Sequence, residues 1–175
     1  MWLIALWMSA AQAGELAGVT MPDQVSVGGT QLVLNGMGLR EKYFIDVYVG
    51  GLYLPSKTTE ASTAIEQDVA KRIIMHFVYS NVPADKMRDT FREGFSGVGA
   101  TGLDDKIEQL NGWMTDLTSG DQVILDYVPG TGTTVTVKGQ QKGTIAGADF
   151  MRALWGVYLG AKPPTNKLKA GLLSG

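Results

Sequence analysis

The chain has 175 residues, 45% of them hydrophobic and 18% charged, with a formal net charge of −2 and no cysteine. That length and composition describe one globular domain with a two-layer core and exclude a disordered chain. The near-neutral balance offers no nucleic-acid surface, which needs a strong basic excess. The missing thiols exclude disulfides, thiol redox chemistry and cysteine-ligated metals.

Residues 2–8 form a short apolar run, and small side chains follow through Ala13. Ala11 and Ala13 stand in the pattern of a cleavage site. Residues 1–13 therefore read as the end of a secretory signal peptide cut before Gly14, although no basic segment opens it. The run is too short to span a bilayer. The expected destination is the periplasm or another secreted location, which suits a chain without cysteine. Residues 14–175 are then a single domain.

Along that domain, Val25 and Val27, then Leu32 and Leu34 after Gly28-Gly29, predict an entering hairpin. The stretch 44–54 is the longest strand signal. Val47, Val49, Gly51 and Tyr53 fall on one period-two set; Tyr48, Gly50, Leu52 and Leu54 fall on the other. Both sets are apolar, so the strand is expected to be covered on both faces. A short helix or turn follows at 61–70 and another strand at 71–79. Pro83 and Asp85 mark a helix start, with Met87, Phe91 and Phe95 on one face and Gly97 as its break. Leu103, Ile107, Leu110, Met114 and Leu117 form the stripe of a second helix over 103–117. Strands are expected at 123–128, 133–137 and around 144–145, joined by glycine turns. A third helix carries Phe150, Leu154, Val157 and Tyr158 and stops at Gly160. Leu168 to Leu172 makes a short terminal helix. Hairpin joins dominate, which predicts an α+β fold with a largely antiparallel sheet and helices on one side.

Chemical signals are sparse. Gly97-Val98-Gly99-Ala100-Thr101-Gly102 matches GxGxxG, but a helix precedes it where a dinucleotide site needs a strand, so it reads as an interhelical loop. His76 is the only histidine and has no partner for a metal site. No cofactor or metal site is expected. Asp85, Asp104 and Asp105 fall in first helical turns, where the helix dipole accounts for them. Lys71-Arg72 reads as a solvated charge pair at a strand entry. Trp113 and Trp155 lie in predicted helices as core or interface residues. Arg40 is harder to set aside. Gly36 and Gly38 beside it allow another backbone to come close. The arginine either grips a carboxylate or enolate bidentately or pairs internally with a residue such as Asp46. The residues alone leave both open.

Taken together, Gly36-Met37-Gly38-Leu39-Arg40, the strand from Val47 to Leu54 and Lys71-Arg72-Ile73-Ile74 resemble the chalcone isomerase-like family, specifically its bacterial branch. Gly120-Asp121-Gln122-Val123, Tyr127 to Gly132, Phe150 to Gly160 and Leu168 to Leu172 add to the likeness, which covers roughly residues 20–172. The resemblance implies an open-faced β-sandwich, a large antiparallel sheet packed against helices with an apolar cleft between them. In plant chalcone isomerases that cleft closes a flavanone ring. There an arginine near the long strand, a threonine on it, a helix tyrosine and a late-helix hydroxyl handle the substrate. Other relatives bind fatty acids, holding the carboxylate with the arginine and a tyrosine. Arg40 matches the arginine. The threonine position falls on Tyr48, the helix tyrosine near Met87 and the late-helix hydroxyl near Val157. Methionine and valine cannot donate a hydrogen bond to an enolate, which argues against chalcone cyclisation.

Three functions remain. The first is a non-catalytic binder of a fatty acid or other apolar carboxylate, gripped by Arg40 and Tyr48 with Met87 and Val157 lining the cleft. The second is an isomerase or lyase acting on an enone or hydroxy acid, with Arg40 stabilising an enolate and Tyr48 or Tyr79 donating a proton. The third is a structural or partner-binding envelope protein in which Arg40 pairs internally. The expected partner is a small apolar acidic ligand, with no nucleic acid; no protein partner is legible.

Overall fold

The computed structural model describes residues 13–175. The stretch 1–12, most of the expected leader, lies outside them, as do Trp2 and Trp7. The described chain opens with a small hairpin, β1 (Gly14–Leu16) and β2 (Val19–Met21). Then come β3 (Gln24–Val27), β4 (Thr30–Lys42), β5 (Ile45–Leu54), α1 (Ala61–Glu66) and β6 (Lys71–Phe77). Helices α2 (Ala84–Gly97) and α3 (Asp104–Gly112) follow. Strands β7 (Gln122–Val128), β8 (Gly132–Val137) and β9 (Gln140–Ile145) complete the sheet, and α4 (Ala148–Leu159) and α5 (Asn166–Leu172) end the chain.

The seven strands β3 to β9 stand in sequence order, every neighbouring pair antiparallel. The sheet curls around helices on one face, as the predicted α+β architecture requires. Its helix-side core holds Tyr48, Leu52, Ile73 and Phe77 against Phe91, Phe95, Phe150 and Leu154. The opposite face carries a smaller core of Leu32, Leu34, Val49 and Tyr53 under Val19 and Met21 of the β1–β2 hairpin. A Cβ on Gly51 would come within 2.5 Å of Met21 Sδ, so that glycine lets the hairpin lie flat on β5. The two-faced burial expected of β5 is thus present. Among the described residues no helix is long and apolar enough to cross a membrane.

Two bulges shape the β4–β5 ladder. Asn35 is the extra residue on β4, and its side chain donates to Leu172 O and Thr58 O and accepts from Thr58 N. Val47 is the extra residue on β5, between Tyr48 opposite Arg40 and Asp46 opposite Glu41. A bulge re-aims a side chain, which explains why Val47 leaves its expected period-two set and joins Tyr48 on the helix side.

Several expectations are corrected. The entering hairpin does not stop at Leu34: its second strand runs on as β4, with Gly36 to Arg40 in its interior. The backbone that comes close there belongs to α5: a Cβ on Gly36 or Gly38 would collide with the carbonyls of Gly171 or Leu168. Strand β5 starts at Ile45, because Tyr43 and Phe44 form a turn with φ of 51° and 63°. Strand β6 ends at Phe77 and α3 at Gly112; Met114 and Leu117 stay buried beyond the helix, where Leu117 bridges to Val82. Lys71-Arg72 is not solvated. Arg72 forms a bidentate pair with Asp126 across β6–β7, at 2.6 and 2.7 Å. Lys71 is fully buried, donating to Ala64 O at 2.8 Å and Ile65 O at 3.3 Å, so it caps the carbonyl end of α1. The GxGxxG stretch is the α2–α3 loop, and His76 contacts Gln122 through Nδ1 at 3.0 Å.

Candidate ligand site around Arg40

Arg40 and Tyr48 lie directly opposite each other on β4 and β5, and Tyr48 lies opposite Phe77 on β6. The row stacks sideways on the helix face. Arg40 Cζ is 5.6 Å from the Tyr48 ring centroid, and the Tyr48 and Phe77 rings are 5.3 Å apart. The aromatic ring gives the guanidinium a cation–π neighbour but no hydrogen-bond acceptor. Arg40 Nε is buried without a hydrogen-bond partner among the described residues. Arg40 joins no ion pair of those residues either, and Asp46 is exposed; the internal Arg40–Asp46 pair does not form.

Two clefts meet at Arg40. The first, about 160 Å³, runs between the β4–β5 turn and the start of α2, with Arg40, Val47, Val82, Met87 and Thr90 as its walls. Lys42, Tyr43, Ile45, Tyr79 and Lys86 also line it, and no carboxylate does. The second, about 190 Å³, lies between α2 and the chain after α4, lined by Arg40, Thr90, Glu93, Gly94, Val157 and Lys162 with Pro163 and Pro164. Each is smaller than the roughly 300–1,000 Å³ of ordinary ligand pockets. Arg40 and Thr90 are the wall they share.

The residues expected from the sequence gather around Arg40 without sharing one cavity. Met87, 2% exposed on α2, and Tyr79 line the first cleft. Val157 on α4 lines the second, where it packs on Gly94; a Cβ there would fall 2.5 Å from Val157 Cγ1. Tyr48 lies beneath Arg40, 2% exposed, and lines neither cleft. Burial pushes its phenol up to about 12, with the Arg40 charge pulling the other way.

Tyr158 is the neighbour that sequence reading left on a generic core face. Burial raises its pKa well above the ordinary value, Tyr48 adds to the rise and Arg40 opposes it. Its hydroxyl donates to Met75 Sδ at 3.2 Å. Helix α4 buries eight residues over most of its girth, with Asp149 and Arg152 at its polar edge, so its broad apolar face gives Tyr158 no distinction from its neighbours. Lys42 and Lys86 were also missed; Lys86 precedes Met87 and lies one helical turn from Thr90, a spacing that places it on the same wall.

This arrangement suits anion binding better than proton transfer. Both phenols stay protonated at neutral pH, so each can donate a hydrogen bond to an anion and neither serves as a base. Among the described residues no group of three or more His, Asp or Glu could hold a metal ion.

A profile of the chalcone isomerase-like family matches residues 13–174. No curated protein matches the chain. Among solved structures, the crystal structure of a fatty-acid binding protein from Arabidopsis thaliana superposes with a TM-score of 0.74 at 18% identity, over 93% of this chain and 96% of that one. The likeness at that identity is one of fold. With the profile spanning nearly the whole chain, the protein belongs to the chalcone isomerase-like family.

Proposed function

We propose that the protein is a non-catalytic binder of a fatty acid or similar apolar carboxylate, with Arg40 as its anchor. One observation carries the reading: a guanidinium nitrogen is buried without an acceptor where two clefts meet. Arg40 is half-buried, and its shielded Nε is a donor unmet among the described residues; a carboxylate in the cleft would answer the guanidinium fork bidentately. Tyr48, held protonated, is a neutral donor one strand away. The hydrocarbon tail would lie along Val47, Val82 and Met87, each buried CH₂ adding about 0.8 kcal/mol. Met87, an adaptable side chain, is placed to yield space in a cleft that is small for an acyl chain. That a protein of the same fold is a fatty-acid binding protein supports the reading. The apolar run and the small residues at Ala11 and Ala13 support export to the periplasm or beyond.

The structural reading lacks its ion pair among the described residues, and the enzymatic reading finds Tyr48 outside both clefts and Met87 and Val157 without a donor. Calorimetric titration with decanoate tests the proposal. The native protein should bind, and Arg40→Met should weaken binding by roughly 30-fold or more, the effect of removing one partner of a buried charge pair. Equal affinity in both proteins would remove Arg40 as the anchor.

A further inference from the structure

Four two-residue turns in the described chain have positive φ at both positions. Three of them, Ala17-Gly18, Gly28-Gly29 and Lys138-Gly139, place glycine second, as this backbone favours. The fourth, Tyr43-Phe44 between β4 and β5, places two aromatic residues there. A bulky residue in the left-handed region is a strained exception. Among the described residues nothing compensates for it by packing, since Tyr43 is 85% exposed and Phe44 fully exposed. Ile45 and Tyr79 are the other exposed large hydrophobic residues among those described. The four form one patch: Tyr43, Ile45 and Tyr79 line the first cleft, and Phe44 stands at the tip beside them.

Strain and apolar exposure at one place point to a partner. The patch is four side chains at the end of one hairpin, where a stable protein interface takes about 20–30 residues a side. It has the makings of an interfacial anchor, with aromatic rings at the tip and lysines behind them. Lys42 Nζ lies 5.8 Å from the Tyr43 ring centroid, and Lys86 stands on the facing wall of the cleft. Of the nearby acids, Glu41 is held by Lys167 at 2.8 Å, while Asp46 and Asp85 are exposed.

We infer that the Tyr43–Phe44 tip docks on the headgroup region of an anionic lipid bilayer, setting the mouth of the Arg40 cleft against the membrane. Its use there, taking up or delivering an apolar acid that resides in the bilayer, rests on the proposed function above. Docking is peripheral and reversible, made by two rings and flanking cations.

Flotation tests it, using phosphatidylcholine vesicles with and without phosphatidylglycerol. The native protein should float with the mixed vesicles and much less with phosphatidylcholine alone. Phe44→Asn keeps a residue that tolerates the left-handed backbone. It should lower partitioning roughly tenfold or more, as expected for losing one buried aromatic ring. Decanoate titration without vesicles separates the two proposals, because Phe44 does not line the cleft and its variant should bind decanoate like the native protein. Flotation that depends on Phe44 supports docking even if decanoate fails to bind, and the carrier reading alone then falls. Absence of flotation, or equal flotation of Phe44→Asn, overturns docking. A dimer that Phe44→Asn dissolves, without flotation, assigns the tip to a second copy and overturns it too.

Discussion

The middle of strand β4 and its C-terminal end with the turn beyond it are built to opposite rules. In the middle, Asn35 makes three hydrogen bonds, and Gly36 and Gly38 let the α5 backbone come so close that a Cβ on either would collide with it. At the Arg40–Phe44 end, Arg40 Nε lacks a partner, clefts open on both sides and aromatic rings face water. The same contrast separates two arginines of one sheet. Arg72 has a carboxylate fork supplied by Asp126, whereas Arg40 has only a ring beneath it. The middle of the strand is packed against α5, and its far end keeps polar and apolar groups unmet, as the proposed binding site requires.

The sharpest way to break this contrast is to disturb the packed middle of the strand. Gly38→Val forces a side chain into the Leu168 carbonyl and should cost about 3 kcal/mol in a denaturant titration. A loss within experimental error would mean that α5 is free to move away.

Alkaline titration of stability comes next in size. Burial lowers Lys71 to about 8, against the attraction of Asp68. Between pH 8 and its ordinary value of 10.5 the unfolded chain holds the proton and the native one does not, so stability rises with pH there. Tyr48 is shifted the other way, from 10.0 to about 12, so the native state keeps a proton that the unfolded chain loses and stability falls above pH 10. The Lys71 and Tyr48 shifts are each worth about 3 kcal/mol, and Tyr53, Tyr127 and Tyr158, raised by burial as well, deepen the falling limb. Lys71→Met should flatten the rising limb and Tyr48→Phe should shrink the falling one.

A matched pair of substitutions tests the arginines themselves. Arg72→Met leaves Asp126 without its partner and should destabilise by about 2 kcal/mol. Arg40→Met removes a buried donor that has no acceptor and should be neutral or slightly stabilising in ligand-free protein. Equal losses in urea would mean that Arg40 has an internal role. The smallest expected effect is a gain: Phe44→Gly relieves the strained turn and should stabilise by about 1 kcal/mol, seen as a raised Tm.

Much of the fold is legible in the sequence because its turns announce themselves. Gly28-Gly29 and Lys138-Gly139 mark hairpins, and the alternation through Val49 and Tyr53 marks a strand covered on both faces. The Tyr43-Phe44 turn is illegible for the converse reason, since aromatic residues carry strand propensity and here occupy a turn. Gly36 and Gly38 hide the length of β4, because glycine weakens a strand reading and the reason for it, α5, lies at the far end of the chain. Lys71 reads as surface because nothing local reveals that α1 ends above it. At the site, Arg40, Tyr48, Met87 and Val157 are named from the family pattern. That Arg40 lacks an acceptor, and that Met87 and Val157 fall on two sides of it, depends on how α2 and α4 pack and leaves no mark in the residues around Arg40.

The central claim is that Arg40 awaits a carboxylate. Native mass spectrometry of the protein expressed with residues 1–13 and purified without detergent, followed by lipid extraction of native and Arg40→Met protein, tests it most directly. A stoichiometric acyl acid carried by the native protein and missing from Arg40→Met is the expected result. The same acid at the same occupancy in both would contradict the claim.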